Sequence, residues 1–353
     1  VVTIPVLRWV QIKHMNTFLH TLRIRATERT MCTIIFPDSH DERVLEAAKI
    51  LVQGKIARPL LVCSPEDISK VSALGLDCVQ IEEERAADLG KLLLELRSSK
   101  VGTKDELTLE MAHDLAHDPL FYGMYLLRLG QGDGLVAGAA RTSTEVLRAG
   151  LWLIGKAEGI QTVSSSMYML VPSFRGTPSD EVLTFADCAV VPNPSSEQLA
   201  DIAIAAADAR LLIVGDVPRV AFLSYSTNGS GGNNQSTAMI RKALELVREK
   251  RPELVIDGEL QADAALVQTI SQRKAPDSVI NGSANVLIFP SLDAANIAYK
   301  LVATLVPGAQ ALGPILQGMK KPMSDLSRGV TADAIVGIAT IVASQVSHVA
   351  ELA

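Results

Sequence analysis

Short apolar runs rich in β-branched residues recur along the chain, and stretches with helical spacing of their apolar positions lie between them. Residues 33–36 (TIIF), 59–63 (PLLVC) and 134–138 (GLVAG) have the length and content of strands buried on both faces. Runs at 187–191 (DCAVV), 219–223 (RVAFL), 254–257 (LVID) and 284–289 (ANVLIF) predict further strands. Helical periodicity fills 196–210, 236–249 and 293–305. Two helix starts carry the signature of a capping box, in which a hydroxyl and a side chain three residues on satisfy free backbone N–H groups reciprocally. These are Ser39-His-Asp-Glu42 and Thr142-Ser-Thr-Glu145. The strand–helix–strand rhythm predicts an α/β fold, a parallel sheet covered on both faces.

With 353 residues, the chain exceeds what one compact core holds and suits two domains. No low-complexity linker marks the join. We place it near residue 150 with a return crossing near 315, so that 1–150 plus 316–353 form one domain and 151–315 the other. Apolar residues make up 48% and aromatics only 4%, which favours helices on aliphatic strands over a β-sandwich. A net charge of −6 implies no broad basic face for nucleic acid. No apolar run approaches the ~20 residues of a membrane-spanning helix. Cys32, Cys63, Cys78 and Cys188 lack any Cys-x-x-Cys spacing and read as reduced thiols of a cytoplasmic protein. The first thirty residues carry Arg8, Lys13, Arg23, Arg25 and Arg29 with no acid before Glu28. A transit peptide has that look, and so does a frayed helix or an extension ahead of Met15.

The chemistry concentrates in residues 313–329 (GPILQGMKKPMSDLSRG), which lead into a long apolar helix pattern. Ser327 and Arg328 just ahead of a helix start are suited to an anion, because free N–H groups and the dipole's positive end lie there. Arg141-Thr142-Ser143-Thr144 is a second candidate anion site of strand, turn and helix start, with Arg148 one turn further on. The polar, glycine-rich stretch 224–235 (SYSTNGSGGNNQ) follows a strand and is expected at a sheet's C-terminal edge, where α/β proteins bind ligands. Residues 150–157 (GLWLIGKA) fall short of a nucleotide-binding loop, since Ala157 replaces the Mg²⁺-binding hydroxyl. His113 and His117 stand four apart without a third ligand, which reads as a solvated helix face and not a metal site.

The 313–329 segment resembles, nearly letter for letter, the C-terminal signature of phosphate acetyltransferases. Other colinear landmarks are Asp118-Pro-Leu-Phe121, Asp133-Gly-Leu-Val-Ala-Gly138, Pro218-Arg-Val-Ala-Phe-Leu-Ser-Tyr-Ser-Thr227 and Asp257-Gly-Glu-Leu-Gln-Ala-Asp263. The resemblance implies two three-layer αβα domains with largely parallel sheets, like isocitrate and isopropylmalate dehydrogenases, and an active site in the cleft between them. It implies a reversible exchange of acetyl phosphate and coenzyme A for acetyl-CoA and phosphate, in a homodimer. Coenzyme A is then a substrate, and no cofactor or metal is expected. Carried over, Ser327 stabilises the thiol or the oxyanion, Arg328 holds acyl or phosphate oxygens, and Arg97 and Arg148 bind phosphate or the coenzyme's phosphates; on physical grounds Thr142, Ser143 and Thr144 are further donors at a helix start. The family commonly has an acid six residues after the signature arginine, proposed as the base. Here Ala334 stands there, with Asp333 beside it as the candidate substitute, although helix neighbours point about 100° apart. A propionyl or butyryl transferase and a weakly catalytic acyl-CoA sensor are the alternatives.

Overall fold

The computed structural model describes residues 17–28, 30–100, 106–177 and 179–352, so the basic segment at 1–16 and Arg29 lie outside the described residues. The strands are β1 (Thr33–Phe36), β2 (Arg58–Cys63), β3 (Asp77–Gln80), β4 (Gly134–Ala137), β5 (Ser164–Val171), β6 (Glu181–Ala186), β7 (Arg219–Leu223), β8 (Val255–Leu260), β9 (Val286–Ile288), β10 (Gln310–Gln317) and β11 (Met323–Asp325). They form one open sheet of 11 strands in the order β3-β2-β1-β4-β11-β10-β5-β6-β9-β7-β8.

Neighbours are parallel from β3 to β11 and again from β6 to β8. Between these blocks, β10 and β5 run antiparallel to each other and to their outer neighbours. The plain parallel sheet expected from the pattern is therefore corrected to a mixed one. Only short connections, 172–180 and 318–322, join β5 to β6 and β10 to β11, too short for the crossover that parallel pairing needs. Three reversals leave the two parallel blocks pointing in opposite directions.

Alternate residues of each strand feed two layers, as the pleat requires. On β1, Ile34 and Phe36 join the core under the helices Glu42–Gln53 and Ala332–Leu352, while Ile35 joins the core under Glu83–Leu96, Pro119–Arg128 and Ser143–Leu153. On β7, Val220 and Phe222 face the helices Ser196–Ile213 and Gln235–Lys250, and Ala221 faces the opposite core. Each block of the sheet is thus a helix–sheet–helix sandwich.

Two local expectations are corrected. No strand runs through 187–191: β6 stops at Ala186 and Asp187 turns the chain, its buried carboxylate accepting the N–H groups of Ser165, Ala189 and Val191. Helix Glu42–Gln53 is capped by Asp41, which accepts from the Arg43 N–H, while Ser39 donates instead to Asp67. The capping box at Thr142 and Glu145 forms with both reciprocal bonds.

Candidate active site

Parallel neighbours release the chain at the same edge of the sheet, so the ends of β1, β4 and β11 bring three turns together. The turn after β4 (138–142) is held from both sides by carboxylates. Asp38, beyond the end of β1, accepts the N–H groups of Gly138 and Ala139 at 2.9 and 3.0 Å. Asp325, the last residue of β11, accepts the Ser143 hydroxyl at 2.5 Å. Gly138 has φ +107°, and a Cβ there would lie 2.4 Å from Asp325 Oδ1. Only glycine lets the turn pass this close.

Both carboxylates are almost fully buried. Burial pushes the Asp325 carboxyl up to about 7, against the bond from Ser143 and the nearby Leu326 N–H dipole, and Asp38 adds repulsion. Burial likewise raises Asp38, opposed by the Gly138 and Ala139 N–H groups.

The turn after β11 is pinned by Arg43, which nothing in the sequence singled out. Its guanidinium donates to the carbonyls of Arg328 (2.7 Å), Val330 (3.0 Å) and Ala139 (3.0 Å), and pairs with Asp41 at 2.6 Å. One side chain thereby ties the Ser327–Arg328 turn to the β4 turn. On the other side of the turn, Ile335, Val336, Ile338 and Ala339 of the last helix are fully buried. The turn is held at both ends.

Beside it opens a cleft of about 580 Å³. Its walls are Ser327, Gly329 to Thr331, Asp333 and Ala334 from the turn and last helix; Met167, Gln310, Ala311 and Gly313 from β5 and β10; and Tyr299, Lys300, Ala303 and Thr304 from the helix Leu292–Leu305. Ser327 and Asp333 of the expected residues line it, with Arg328 exposed within the same turn. Lys300, a cation the sequence did not flag, lines the same cleft, its ammonium 5.1 Å from the centre of the Tyr299 ring.

The remaining expected residues sort differently. Thr142 is engaged in its capping box, Ser143 in the bond to Asp325, and Thr144 is exposed on the same helix end. Arg141 turns toward Asp118 at 2.8 Å. Arg97 and Arg148 come together over Trp152, with guanidinium carbons 4.5 and 5.8 Å from the ring centre. An aromatic face is a good seat for a guanidinium that also meets phosphate. Arg148 and Trp152 lie one turn and more down the helix whose first residue is Ser143, and Arg97 reaches them from the C-terminal end of the helix Glu83–Leu96.

The glycine-rich stretch 224–235 contributes nothing to the cleft walls. It follows β7, whose direction is opposite to that of β4, and wraps the buried Glu259, which accepts from Ser226, the Gly229 N–H and Arg241. Burial pushes Glu259 up, and those bonds outweigh it, holding the carboxyl at about 2. His117 pairs with Glu83 at 3.1 Å and stacks on His113. Among the described residues no cluster of three or more metal-ligating side chains occurs. Likewise no described helix is long and apolar enough to cross a membrane.

Chemically, the edge offers a serine hydroxyl and a lysine lining one cleft, an arginine exposed in the adjoining turn, and a helix start alongside. That is the equipment for a phosphorylated substrate. The family model for phosphate acetyl/butaryl transferase matches residues 17–343. A phosphate acetyltransferase of Acetivibrio thermocellus is 42% identical over 326 residues, 90% of this chain and 95% of that protein. One from Bacillus subtilis is 39% identical over 320 residues, 88% and 94% of the two chains. The crystal structure of a phosphotransacetylase from Streptococcus pyogenes superposes with a TM-score of 0.81 at 33% identity, covering 94% of this chain and 98% of that one.

Proposed function

This chain belongs to the phosphate acetyl/butaryl transferase family, and from that premise we propose how its cleft works. The protein is an acyltransferase, a phosphate acetyltransferase that moves an acetyl group reversibly between acetyl phosphate and coenzyme A. The observation that carries the assignment to this cleft is the convergence of Ser327, Lys300 and the Arg328 turn on one 580 Å³ space.

In this reading, Arg328 and the Ser327 hydroxyl hold the acyl phosphate and stabilise the oxyanion that forms as the carbonyl is attacked. Arg97 and Arg148, braced on Trp152, take phosphate groups of the coenzyme, and the start of the helix Ser143–Leu153 adds N–H donors. The thiolate attacks directly within a ternary complex, and inorganic phosphate leaves. Neither redox change nor a stored covalent intermediate is required, so coenzyme A is a substrate and no resident cofactor is proposed. Of the described residues, those within 1–150 and 316–353 act as one lobe and those within 151–315 as the other, around the cleft.

Four unpaired cysteines, Cys32, Cys63 and Cys188 among them buried, suit a reducing cytoplasm. The helix Leu292–Leu305 exposes Ile297, Leu301 and Leu305 in a stripe at four-residue spacing, which we assign to a homodimer face.

The test is a thioester assay with acetyl phosphate and coenzyme A in the presence of a metal chelator. Acetyl-CoA formation, faster than with propionyl or butyryl phosphate, is expected. Coenzyme A binding without thioester formation, or without arsenate-dependent loss of acetyl-CoA, would favour a sensor instead.

A further inference from the structure

Attack by a thiol requires that its proton go somewhere, and the roles given above to Ser327, Arg328, Arg97 and Arg148 leave it without a receiver. Ala334 presents only a methyl group to the cleft, and Asp333, which lines the same cleft, is exposed at the start of the last helix and is the competing acceptor. Resting on the acyl-transfer reading above, we propose that Asp325, acting through the Ser143 hydroxyl, accepts the proton that the coenzyme's thiol gives up.

The geometry is that of a two-step relay. Ser143 is exposed at the first turn of its helix, on the edge where the Ser327 turn lies, and its hydroxyl donates to Asp325 Oδ2. Asp325 sits behind it, 1% exposed, two residues before Ser327 on the same strand end. The other oxygen, Oδ1, is buried against Gly138 and has no hydrogen-bond partner. A carboxylate so poorly solvated binds a proton more tightly than one in water. Burial is the largest influence, Ser143 and the Leu326 N–H oppose it, and Asp38, across Gly138, adds a smaller push in the same direction as burial. His40 and Arg141 act on Asp38 and so one step removed. No cation pairs with Asp325 among the described residues. Its carboxyl is therefore poised near neutrality, within reach of a thiol whose own pKa is about 8.5 if it resembles cysteine.

The balance is simple. The S–H bond breaks as its proton passes to Ser143 Oγ, and the Ser143 proton passes to Asp325 Oδ2. The sulfur lone pair forms the S–C bond to the acyl carbon, and the C–O bond to phosphate breaks with its electron pair leaving on phosphate. In the reverse direction, protonated Asp325 returns the proton by the same path. Asp325 does not touch substrate. It is a positioning residue that orients Ser143 and takes up its proton.

The test is the pH dependence of kcat/KM for coenzyme A in wild type, Asp325→Asn, Ser143→Ala and Asp333→Asn, each checked for an unchanged circular dichroism spectrum. Wild type should lose activity as pH falls through about 7, where Asp325 protonates. Asp325→Asn should lose that acid limb and about 10²–10⁴-fold in rate, the usual contribution of a general base. Ser143→Ala should also lose rate, and its residual acid limb should shift to higher pH, because the bond that favours the charged form is gone. Asp333→Asn, whatever its rate, should keep the limb. An acid limb that survives in Asp325→Asn, or one that vanishes in Asp333→Asn, overturns the assignment. If Asp325→Asn fails to fold, Ser143→Ala decides: a wild-type rate and profile there overturns it equally. Wild-type protein that makes no acetyl-CoA at any pH would overturn the acyl-transfer reading, and this assignment with it.

Discussion

Replacing Arg43 by alanine removes the clamp on the Ser327–Arg328 turn without touching the cleft itself. Three carbonyls, of Arg328, Val330 and Ala139, lose a donor at 2.7–3.0 Å. At about 1 kcal/mol net for each hydrogen bond the gross loss is ~3 kcal/mol. The Arg328 carbonyl is exposed and regains water, and the partly exposed ion pair to Asp41, a local contact two residues away, adds little, so ~2 kcal/mol is the expected destabilisation. For a chain of this length that lowers the melting temperature by only a few degrees. The effect on turnover should be larger in proportion. A turn displaced by about 1 Å misaligns Ser327 and Arg328, and errors of that size cost on the order of 10²-fold. Arg43→Lys keeps the charge but loses the planar fork that reaches several acceptors, and should fall between. Thermal unfolding and the thioester assay on the same preparations measure both quantities. Arg43→Ala with wild-type turnover would refute the clamp.

Gly138→Ala would put a methyl group 2.4 Å from Asp325 Oδ1 and 2.8 Å from the Leu326 nitrogen, at φ +107°. Strain and overlap together cost about 2–5 kcal/mol, so soluble yield and activity should both collapse; an active, stable variant would show that the two turns are not in contact. Glu259 has its carboxyl held at about 2 against 4.5 unfolded. Its stabilisation is therefore complete above the unfolded value and lost as pH falls from about 4.5 toward 2. Glu259→Gln should lower stability at neutral pH and flatten that acid decline in denaturant titrations; an unchanged curve rejects the linkage. Leu301→Asp places a charge in the exposed apolar stripe of the helix Leu292–Leu305 and should halve the mass seen by light scattering. The same mass in both proteins would remove that stripe from the dimer face.

The α/β class was legible because β1, β4 and β7 are buried on both faces and so read as unbroken apolar runs. β5 was not, since it opens with three serines. Their burial is tolerable only because Asp187 accepts from Ser165, and Gln317 exchanges hydrogen bonds with Ser164 and Ser166, all distant in sequence. For the same reason Asp187 misled: its apolar followers suggest a strand, but the carboxylate gathers their N–H groups into a turn. The polar loop at 224–235 looked like a ligand site, and only the three strand reversals reveal that it leaves the sheet at the other edge. Ser327 and Arg328 were visible as a motif. Arg43 and the charge state of Asp325 were not, because each depends on partners from segments that meet only after folding.

The most direct test of the account is the rate of coenzyme A acetylation by Arg328→Ala. Arg328 is exposed between two residues that line the cleft, Ser327 and Gly329, and its side chain is not part of the core, so melting should match wild type. Removing a cation that stabilises developing charge costs on the order of 10²–10³-fold in kcat, and that loss is expected here. A folded Arg328→Ala protein that turns over at the wild-type rate would contradict the claim that acyl transfer happens at this turn.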